Sequence, residues 1–181
     1  MKLYGDININ DLQLLGKGTQ GKVYKIDEKT CIKVFKRKNY CENKVFTLLI
    51  SQNDSHFPRL DSYGDNYIIR ELINGIELDR YLLNNSLTPI LSNKILELYD
   101  SMYRVGFSRL DTALFHIFIT DNEEIKLIDT ARAMSKNVVY PTLIINGLND
   151  LGYKNQFLNY VKIVRPDIFK KWINNLNKEK Q

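Results

Sequence analysis

A glycine-rich segment followed by a lysine in an apolar run could bind phosphate groups. Residues 16–23 read G-x-G-x-x-G-x-V, and Lys33 follows ten residues later, inside the run Ile32–Val34. Glycines permit a close approach of the backbone, so the main-chain N–H groups of such a turn can cover phosphates. A lysine in a buried strand is costly without an anionic partner, which phosphates and the nearby Glu42 would supply. The alternatives are an ordinary glycine hairpin and an edge-strand lysine that points to solvent.

Three polar residues further along the chain could carry proton transfer and metal binding. Asp111, His116 and Asp129 are separated by five and thirteen residues. One carboxylate could accept the proton of a hydroxyl nucleophile while the other holds a divalent ion. A neutral imidazole can also bind a divalent ion, although Mg²⁺ prefers oxygen ligands. The alternatives are turn aspartates and a histidine that holds its loop by hydrogen bonding.

In this order the segments resemble the phosphotransfer machinery of the protein-kinase-like superfamily. Residues 16–23 resemble the glycine-rich loop, Lys33 the strand lysine, and Glu42 the helix glutamate that pairs with it. Residues 108–116 align with the motif H-R-D-x-x-x-x-N through the aspartate alone. Residues 125–131 resemble the strand that enters the D-F-G motif, with Thr-Ala in place of Phe-Gly.

The resemblance implies a role for each of these residues. Asp111 would be the catalytic base, assisted by Lys33 and its partner Glu42, and the metal ligands would be Asp129 and His116. The implied cofactors are ATP and Mg²⁺ or Mn²⁺, and the implied partner is a hydroxyl acceptor, either protein Ser/Thr or a small molecule. The implied nucleotide-binding residues are Gly16, Lys17, Gly18, Thr19, Gln20, Gly21, Val23, Lys33, Glu71 and Ile73.

Several departures from the family pattern limit what the resemblance implies. His116 occupies the place of a metal-binding Asn, Ala113 that of a common lysine, and Arg70 that of an apolar residue beside the adenine pocket. No A-P-E motif follows, and only 52 residues remain after Asp129. The chain therefore resembles a minimal bacterial serine/threonine-kinase-like protein with a reduced second lobe. The alternative is a catalytically weak or inactive pseudokinase that binds nucleotide or acts as a scaffold.

The elements that must position these residues predict an α+β protein with a bilobal, kinase-like fold. The N-terminal lobe, residues 1–73, is predicted as an antiparallel sheet with one helix, and residues 74–181 as a mainly helical lobe. Asn74 and Gly75 are expected to break the sheet. Strands are predicted at Leu12–Gly16, Val23–Ile26, Thr30–Phe35, Leu60–Tyr63, Tyr67–Leu72, Ile117–Thr120 and Ile125–Ile128. Helices are predicted at Tyr40–Ile50, Glu77–Leu83, from Pro89 through Val105, Leu143–Leu151, Gln156–Val164 and Pro166–Leu176.

Composition narrows the remaining function classes. The formal net charge is +5, with acidic residues interspersed, so a basic stripe for nucleic acid is not evident and nucleic acid is an improbable partner. A basic nucleic-acid-binding domain stays the third hypothesis, supported by net charge alone. No apolar run reaches the roughly 18 residues that span a bilayer. The two cysteines, Cys31 and Cys41, indicate neither a disulfide framework nor a metal site, and a cytoplasmic location is expected.

Overall fold

The computed structural model describes residues 3–178, and the side-chain surroundings of residues 3–175. Contacts divide the chain into two compact units, Met1–Ile73 and Asn74–Gln181. Strands dominate the first unit and helices the second. The predicted α+β class, with an antiparallel N-terminal sheet and a helical C-terminal region, is confirmed.

The main sheet of the first unit has five antiparallel strands in the order β3-β4-β5-β7-β6. A short hairpin that the sequence analysis missed precedes it, formed by β1 (Leu3–Tyr4) and β2 (Ile7–Asn8). The Tyr4 ring contacts the Tyr67 ring edge-on at 5.8 Å, which places this hairpin against the sheet. The sheet strands are β3 (Gln13–Lys17), β4 (Gly21–Lys25), β5 (Thr30–Phe35), β6 (Leu60–Tyr63) and β7 (Tyr67–Glu71).

One face of this sheet packs against helix α1 (Lys38–Ile50). The core between them contains Phe35, Cys41, Leu48 and Ile68, all buried. In an antiparallel sheet, paired residues share a face, and so do residues two apart on one strand. This rule assigns every other residue of β4, β5 and β7 to the face that α1 covers.

The register of the strands places the candidate residues on that face. Val23 pairs with Lys33, and Lys33 pairs with Ile68. Because Phe35 and Ile68 belong to the core under α1, Lys33 and Val23 lie on the same side of the sheet. Arg70, two residues after Ile68, also lies there. The strands could be predicted from the sequence, whereas the shared face of these residues follows only from the strand register.

A second antiparallel sheet, in the order β10-β9-β8, lies in the C-terminal unit. Its strands are β8 (Gly75–Glu77), β9 (Ile117–Thr120) and β10 (Ile125–Leu127). The main sheet ends at Glu71, before Asn74 and Gly75, and Gly75 itself opens β8, a strand that the sequence analysis did not predict. A Cβ on Gly75 would lie 2.3 Å from the carbonyl oxygen of Ile119, so glycine allows the two strands to pair closely.

Up to residue 178, where the described part of this unit ends, its α-helices are α2 (Leu78–Asn84), α3 (Pro89–Arg104), α4 (Thr142–Asp150), α5 (Lys154–Val164) and α6 (Pro166–Lys178). The Thr88 side chain caps α3 by accepting a hydrogen bond from the backbone of Leu91, and Pro89 begins the helix as predicted. The apolar stripe of α3 is buried, with Leu91, Ile95, Leu98 and Met102 all below a tenth exposed.

Trp172 joins the last helices to the rest of the second unit. Its side chain is 1% exposed and contacts the rings of Tyr99, Tyr140 and Phe157, with centroid distances of 5.2, 6.1 and 6.3 Å. Large aromatic side chains contribute much of the buried apolar area of a small core, so this cluster fixes α6 against α3 and α5. Among the helices of residues 3–178, none is long and apolar enough to cross a bilayer.

Candidate functional site

The glycine turn between β3 and β4 is closed by backbone hydrogen bonds. The N–H of Gly18 donates to the carbonyl oxygen of Gly21 at 2.9 Å. Lys36 holds the turn from the end of β5: its N–H donates to the Gln20 carbonyl at 2.9 Å and its Nζ to the Thr19 carbonyl at 2.8 Å. Sequence spacing gave no signal for Lys36, since its role depends on the pairing of β4 with β5.

The three glycines of this turn are present for different reasons. A Cβ on Gly21 would lie 2.1 Å from the Val34 carbonyl oxygen, so the pairing of β4 with β5 requires glycine there. Gly16 and Gly18 have nothing within 4 Å of an added Cβ, and neither has a positive φ. Nothing in the described chain therefore demands glycine at these two positions. A ligand that approaches the backbone closely, as a phosphate does, would demand it.

Alanine substitutions should separate the two kinds of glycine. Gly21→Ala should lower the free energy of unfolding by about 1–3 kcal/mol or more, because the methyl group collides with a backbone oxygen. Gly18→Ala should change stability by less than about 1 kcal/mol. It should nevertheless weaken nucleotide binding, because the new methyl group occupies space that a phosphate needs. Chemical denaturation and a nucleotide titration on both variants check this; equal effects on stability would contradict it.

Lys33 lies half-buried on the α1-facing side of the sheet, next to Val23 across the strand pair. Its Nζ is 5.0 Å from the centroid of the Phe35 ring, a cation–π distance that holds the ammonium group near the core. The side chain is therefore neither buried in the apolar interior nor free in solvent. This placement suits a lysine that contacts an anionic ligand with its tip.

The structure does not place Glu42 against Lys33. The side chains of α1 that are buried belong to Cys41, Lys44, Thr47 and Leu48, at helical spacing. Glu42 lies about 100° around the helix from Cys41 and is exposed, and in the described chain it forms no ion pair with Lys33. The exposure of Glu42 follows from which residues of α1 are buried, a set that includes the polar Lys44 and Thr47. A role for Glu42 in orienting Lys33 stays a prediction.

The end of β7 holds the residues predicted to contact the base. The carbonyl oxygen of Glu71 accepts a hydrogen bond from Arg70 Nη1 at 2.8 Å and lies 3.8 Å from Cys31 Sγ. The Glu71 N–H donates to the Arg59 carbonyl at 2.8 Å. Ile73 is buried, at 8% exposure. Both backbone groups of Glu71 are thus engaged by the protein itself.

His116 and Asp129 lie side by side in the second unit. His116 Nε2 is 3.8 Å from Asp129 Oδ2, and the N–H of Ile128 donates to the His116 carbonyl at 3.0 Å. Asp129 Oδ1 accepts from the N–H of Ala131 at 3.0 Å, a local turn that orients the carboxylate. Both side chains are 31% exposed. The sequence predicted these two residues as one metal-binding pair, and the fold brings them together.

One carboxylate and one imidazole fit a divalent ion that also binds phosphates. Mg²⁺ is commonly held by one or two carboxylates, with substrate phosphates and water completing its shell. Among the described residues, no group of three or more His, Cys, Asp or Glu side chains could hold an ion alone. Asp129 and His116 would supply two ligands to such an ion.

Asp111 is bound to the first turn of α4. Its side chain is 2% exposed. Oδ1 accepts from the N–H of Leu143 at 3.0 Å and of Ile144 at 3.4 Å, and Oδ2 from Leu143 at 3.2 Å. Arg109 Nη2 lies 3.8 Å from Oδ2. Burial raises the pKa of Asp111, although hydrogen bonds from Leu143 and Ile144 and the charge of Arg109 act in the opposite direction.

This contact gives Asp111 a structural role that the sequence analysis did not predict. The motif predicted that Asp111 is functional. It did not predict the contact with α4, because the partner lies 32 residues away and no local sequence pattern marks it. A carboxylate at a helix N-terminus satisfies backbone N–H groups that have no partner in the helix and interacts favourably with the helix dipole. Asp111 therefore anchors α4 to the loop that precedes β9.

Asp111→Ala should lower the free energy of unfolding by about 0.5–2 kcal/mol, the usual cost of losing a helix-capping side chain. Asp111→Asn should cost less, because the amide oxygen can still accept from Leu143. Denaturant unfolding of both variants measures this. If the alanine and asparagine variants were equally stable, the capping role would be contradicted.

The raised pKa of Asp111 makes the free energy of unfolding depend on pH. Since the folded pKa lies above the ordinary value near 4, the protonated form contributes stability below that pH, and this contribution is lost as the pH rises through the folded pKa. The wild type should therefore lose stability relative to Asp111→Asn as the pH rises across this window. A difference that grows in favour of the wild type would contradict the direction of the shift.

Comparisons with known proteins bear on the fold. No family model and no curated protein matches the sequence. Among solved structures, the co-crystal structure of WbdD and kinase inhibitor LY294002 aligns over 64% of this chain and 31% of that chain. The TM-score is 0.50 and the sequence identity is 16%. The chain thus spans about a third of that protein's length, and the similarity shows a kinase-like α+β fold.

Proposed function

We propose that the chain binds a purine nucleoside triphosphate, ATP by resemblance, with Mg²⁺ or Mn²⁺, and transfers the γ-phosphate to a hydroxyl acceptor. The observation that carries this proposal is the glycine turn of the first unit together with the Val23–Lys33 pair beside it. Gly16 and Gly18 have open space above an accessible backbone, and Val23 lies beside Lys33 on the adjacent strand. Nothing in the described chain demands glycine at those two positions. A polyphosphate ligand accounts for the glycines and for the lysine together.

In this proposal the first unit binds and orients the nucleotide. The backbone N–H groups of residues 16–21 cover the phosphates, Lys33 Nζ neutralises them, and Val23 packs on the base. The segment from Glu71 to Ile73 contacts the base edge. Orientation of the phosphates is the main task in phosphoryl transfer, because there is little covalent chemistry for the protein to perform.

The second unit supplies the charge and the proton acceptor. Asp129, assisted by His116, would hold the divalent ion, and the ion when bound would neutralise charge on the transferred phosphoryl group. In the transfer itself, the acceptor oxygen forms a bond to the γ-phosphorus while the bond to the bridging oxygen of the diphosphate breaks. Asp111 receives the proton of the acceptor hydroxyl, and a raised pKa favours proton acceptance near neutral pH.

A second function is favoured by one observation. The Asp111 carboxylate is buried and its oxygens accept hydrogen bonds from the first turn of α4, so a hydroxyl substrate would have to displace these contacts to reach it. This geometry favours a nucleotide-binding module without transfer activity, that is, a pseudokinase. The two functions share the nucleotide site and differ only in whether Asp111 can be reached.

The test is an assay with γ-phosphate-labelled nucleotide and Mg²⁺ or Mn²⁺, across protein Ser/Thr substrates and small hydroxyl compounds, with hydrolysis measured in parallel. Transfer to an acceptor is the expected result, and a protein acceptor would support the finer hypothesis of a cytoplasmic bacterial serine/threonine kinase. Binding without transfer or hydrolysis would establish the pseudokinase instead. Absence of nucleotide binding would contradict both functions.

A further inference from the structure

Arg70 is a buried cation without a carboxylate partner among the described residues. It is 6% exposed, and its one hydrogen bond runs from Nη1 to the Glu71 carbonyl. Its Nε is buried and has no acceptor. A guanidinium carries five N–H donors and cannot lose its charge in a protein. Burying the Nε donor without an acceptor is costly, and a ligand rich in acceptors would offset that cost.

The position of Arg70 places it on the face proposed to bind the nucleotide. Arg70 pairs with Cys31, and Lys33 lies two residues beyond Cys31 on the same strand. Two residues of a strand span about 7 Å. Arg70 is therefore one step along the sheet from the phosphate-binding lysine, next to the Glu71–Ile73 segment proposed to contact the base.

The hydrogen-bonding groups around Arg70 are unfavourable for adenine. Adenine presents an amino donor at its 6 position, whereas guanine presents acceptors at O6 and N7. The Glu71 carbonyl, which could accept from an adenine amino group, already accepts from Arg70 Nη1 and faces the Cys31 thiol. An adenine amino group would thus meet donors. A 6-oxo purine would instead offer acceptors to the guanidinium, in the bidentate geometry typical of Arg with guanine.

We propose that Arg70 selects a 6-oxo purine nucleotide, a guanosine or inosine triphosphate, over ATP. This inference rests on the proposed nucleotide site and specifies its base. It differs from the expectation of ATP that the family resemblance implies, because it follows from a side chain that departs from the family pattern.

The first test needs no substitution. The full wild-type chain is titrated by calorimetry with the Mg²⁺ complexes of ATP, GTP and ITP. GTP and ITP should each bind at least about 10-fold more tightly than ATP, the discrimination of one bidentate arginine–base pair. Similar affinities of GTP and ITP would assign the selection to the 6-oxo group, since ITP lacks the 2-amino group. ATP binding as tightly as both, or GTP alone binding tightly, would overturn the proposal.

A variant pair then tests the residue itself. Arg70→Met, which keeps an unbranched apolar side chain, should bring the affinities for GTP and ATP to within about threefold of each other. The matched control is Arg59→Met, because Arg59 is 69% exposed and pairs with Asp61, and it should keep the preference. A preference that survives in Arg70→Met would overturn the proposal, and the wild-type series decides it alone if that variant does not fold. Absence of binding by all three nucleotides would instead refute the proposed function.

Discussion

Lys33→Met should weaken the binding of the Mg²⁺–nucleotide complex by about 10- to 100-fold while the protein remains folded. A hydrogen bond to a charged group contributes about 1.5–3 kcal/mol, and methionine removes the charge but keeps an unbranched apolar side chain. The cation–π contact with Phe35 is replaced by a contact between sulfur and the ring, which limits the loss of stability. Calorimetric titration and thermal unfolding of the same preparation measure both effects.

The matched control is Lys22→Met. Lys22 lies on β4, next to the strand that carries Lys33. It pairs with Val34, the neighbour of Lys33, and therefore lies on the opposite face of the sheet from Lys33. It is exposed, and its loss should leave nucleotide affinity within about twofold, because an exposed charge is largely screened. If both lysine variants lost affinity equally, the effect would come from net charge and not from a site at Lys33.

Asp129→Asn should weaken nucleotide binding in the presence of Mg²⁺ by at least about 10-fold, because it removes the charge that holds the ion. Even residues that only support a metal ligand affect metal affinity by that amount. Binding measured without a divalent ion should change little. Asp111→Asn should instead retain Mg²⁺-dependent binding and lose phosphoryl transfer by about 100-fold or more, the usual contribution of a general base.

The two aspartate variants therefore separate the enzyme from the pseudokinase. Transfer that disappears in Asp111→Asn while binding persists would assign the base to Asp111 in spite of its contact with α4. Asparagine is the informative substitution, because alanine also removes the cap of α4 and would combine a loss of stability with a loss of activity. Equal nucleotide affinities of wild type and Asp129→Asn with Mg²⁺ would contradict the metal role.

Local sequence patterns were sufficient to predict most of the strands and helices. Strand β5 was predicted with its observed bounds, Thr30–Phe35, and helix α3 from its proline and its apolar stripe. The hairpin β1–β2 and strand β8 were missed. Each of these strands is only two or three residues long and is defined by its partner, so the sequence carried too little periodicity to indicate it.

The candidate site was predictable where it depends on spacing and not where it depends on packing. His116 and Asp129 were both named as metal ligands from the motif spacing, and their side chains lie 3.8 Å apart. The exposed position of Glu42 follows from which stripe of α1 packs on the sheet, and the burial of Asp111 from a helix 32 residues later. Neither relation is local, so neither could be read from the motifs.

The most direct test of the central claim is the thermal unfolding of wild type and Lys33→Met with millimolar Mg²⁺–ATP and Mg²⁺–GTP. A ligand at 100 times its dissociation constant stabilises the folded state by about 2.7 kcal/mol, which is a shift of several degrees in Tm for a chain of this size. At least one nucleotide should raise the Tm of the wild type, and it should raise that of Lys33→Met by about half as much or less, as a 10- to 100-fold weaker affinity requires. No shift of the wild type with either nucleotide, or equal shifts of both proteins, would contradict a nucleotide site at Lys33.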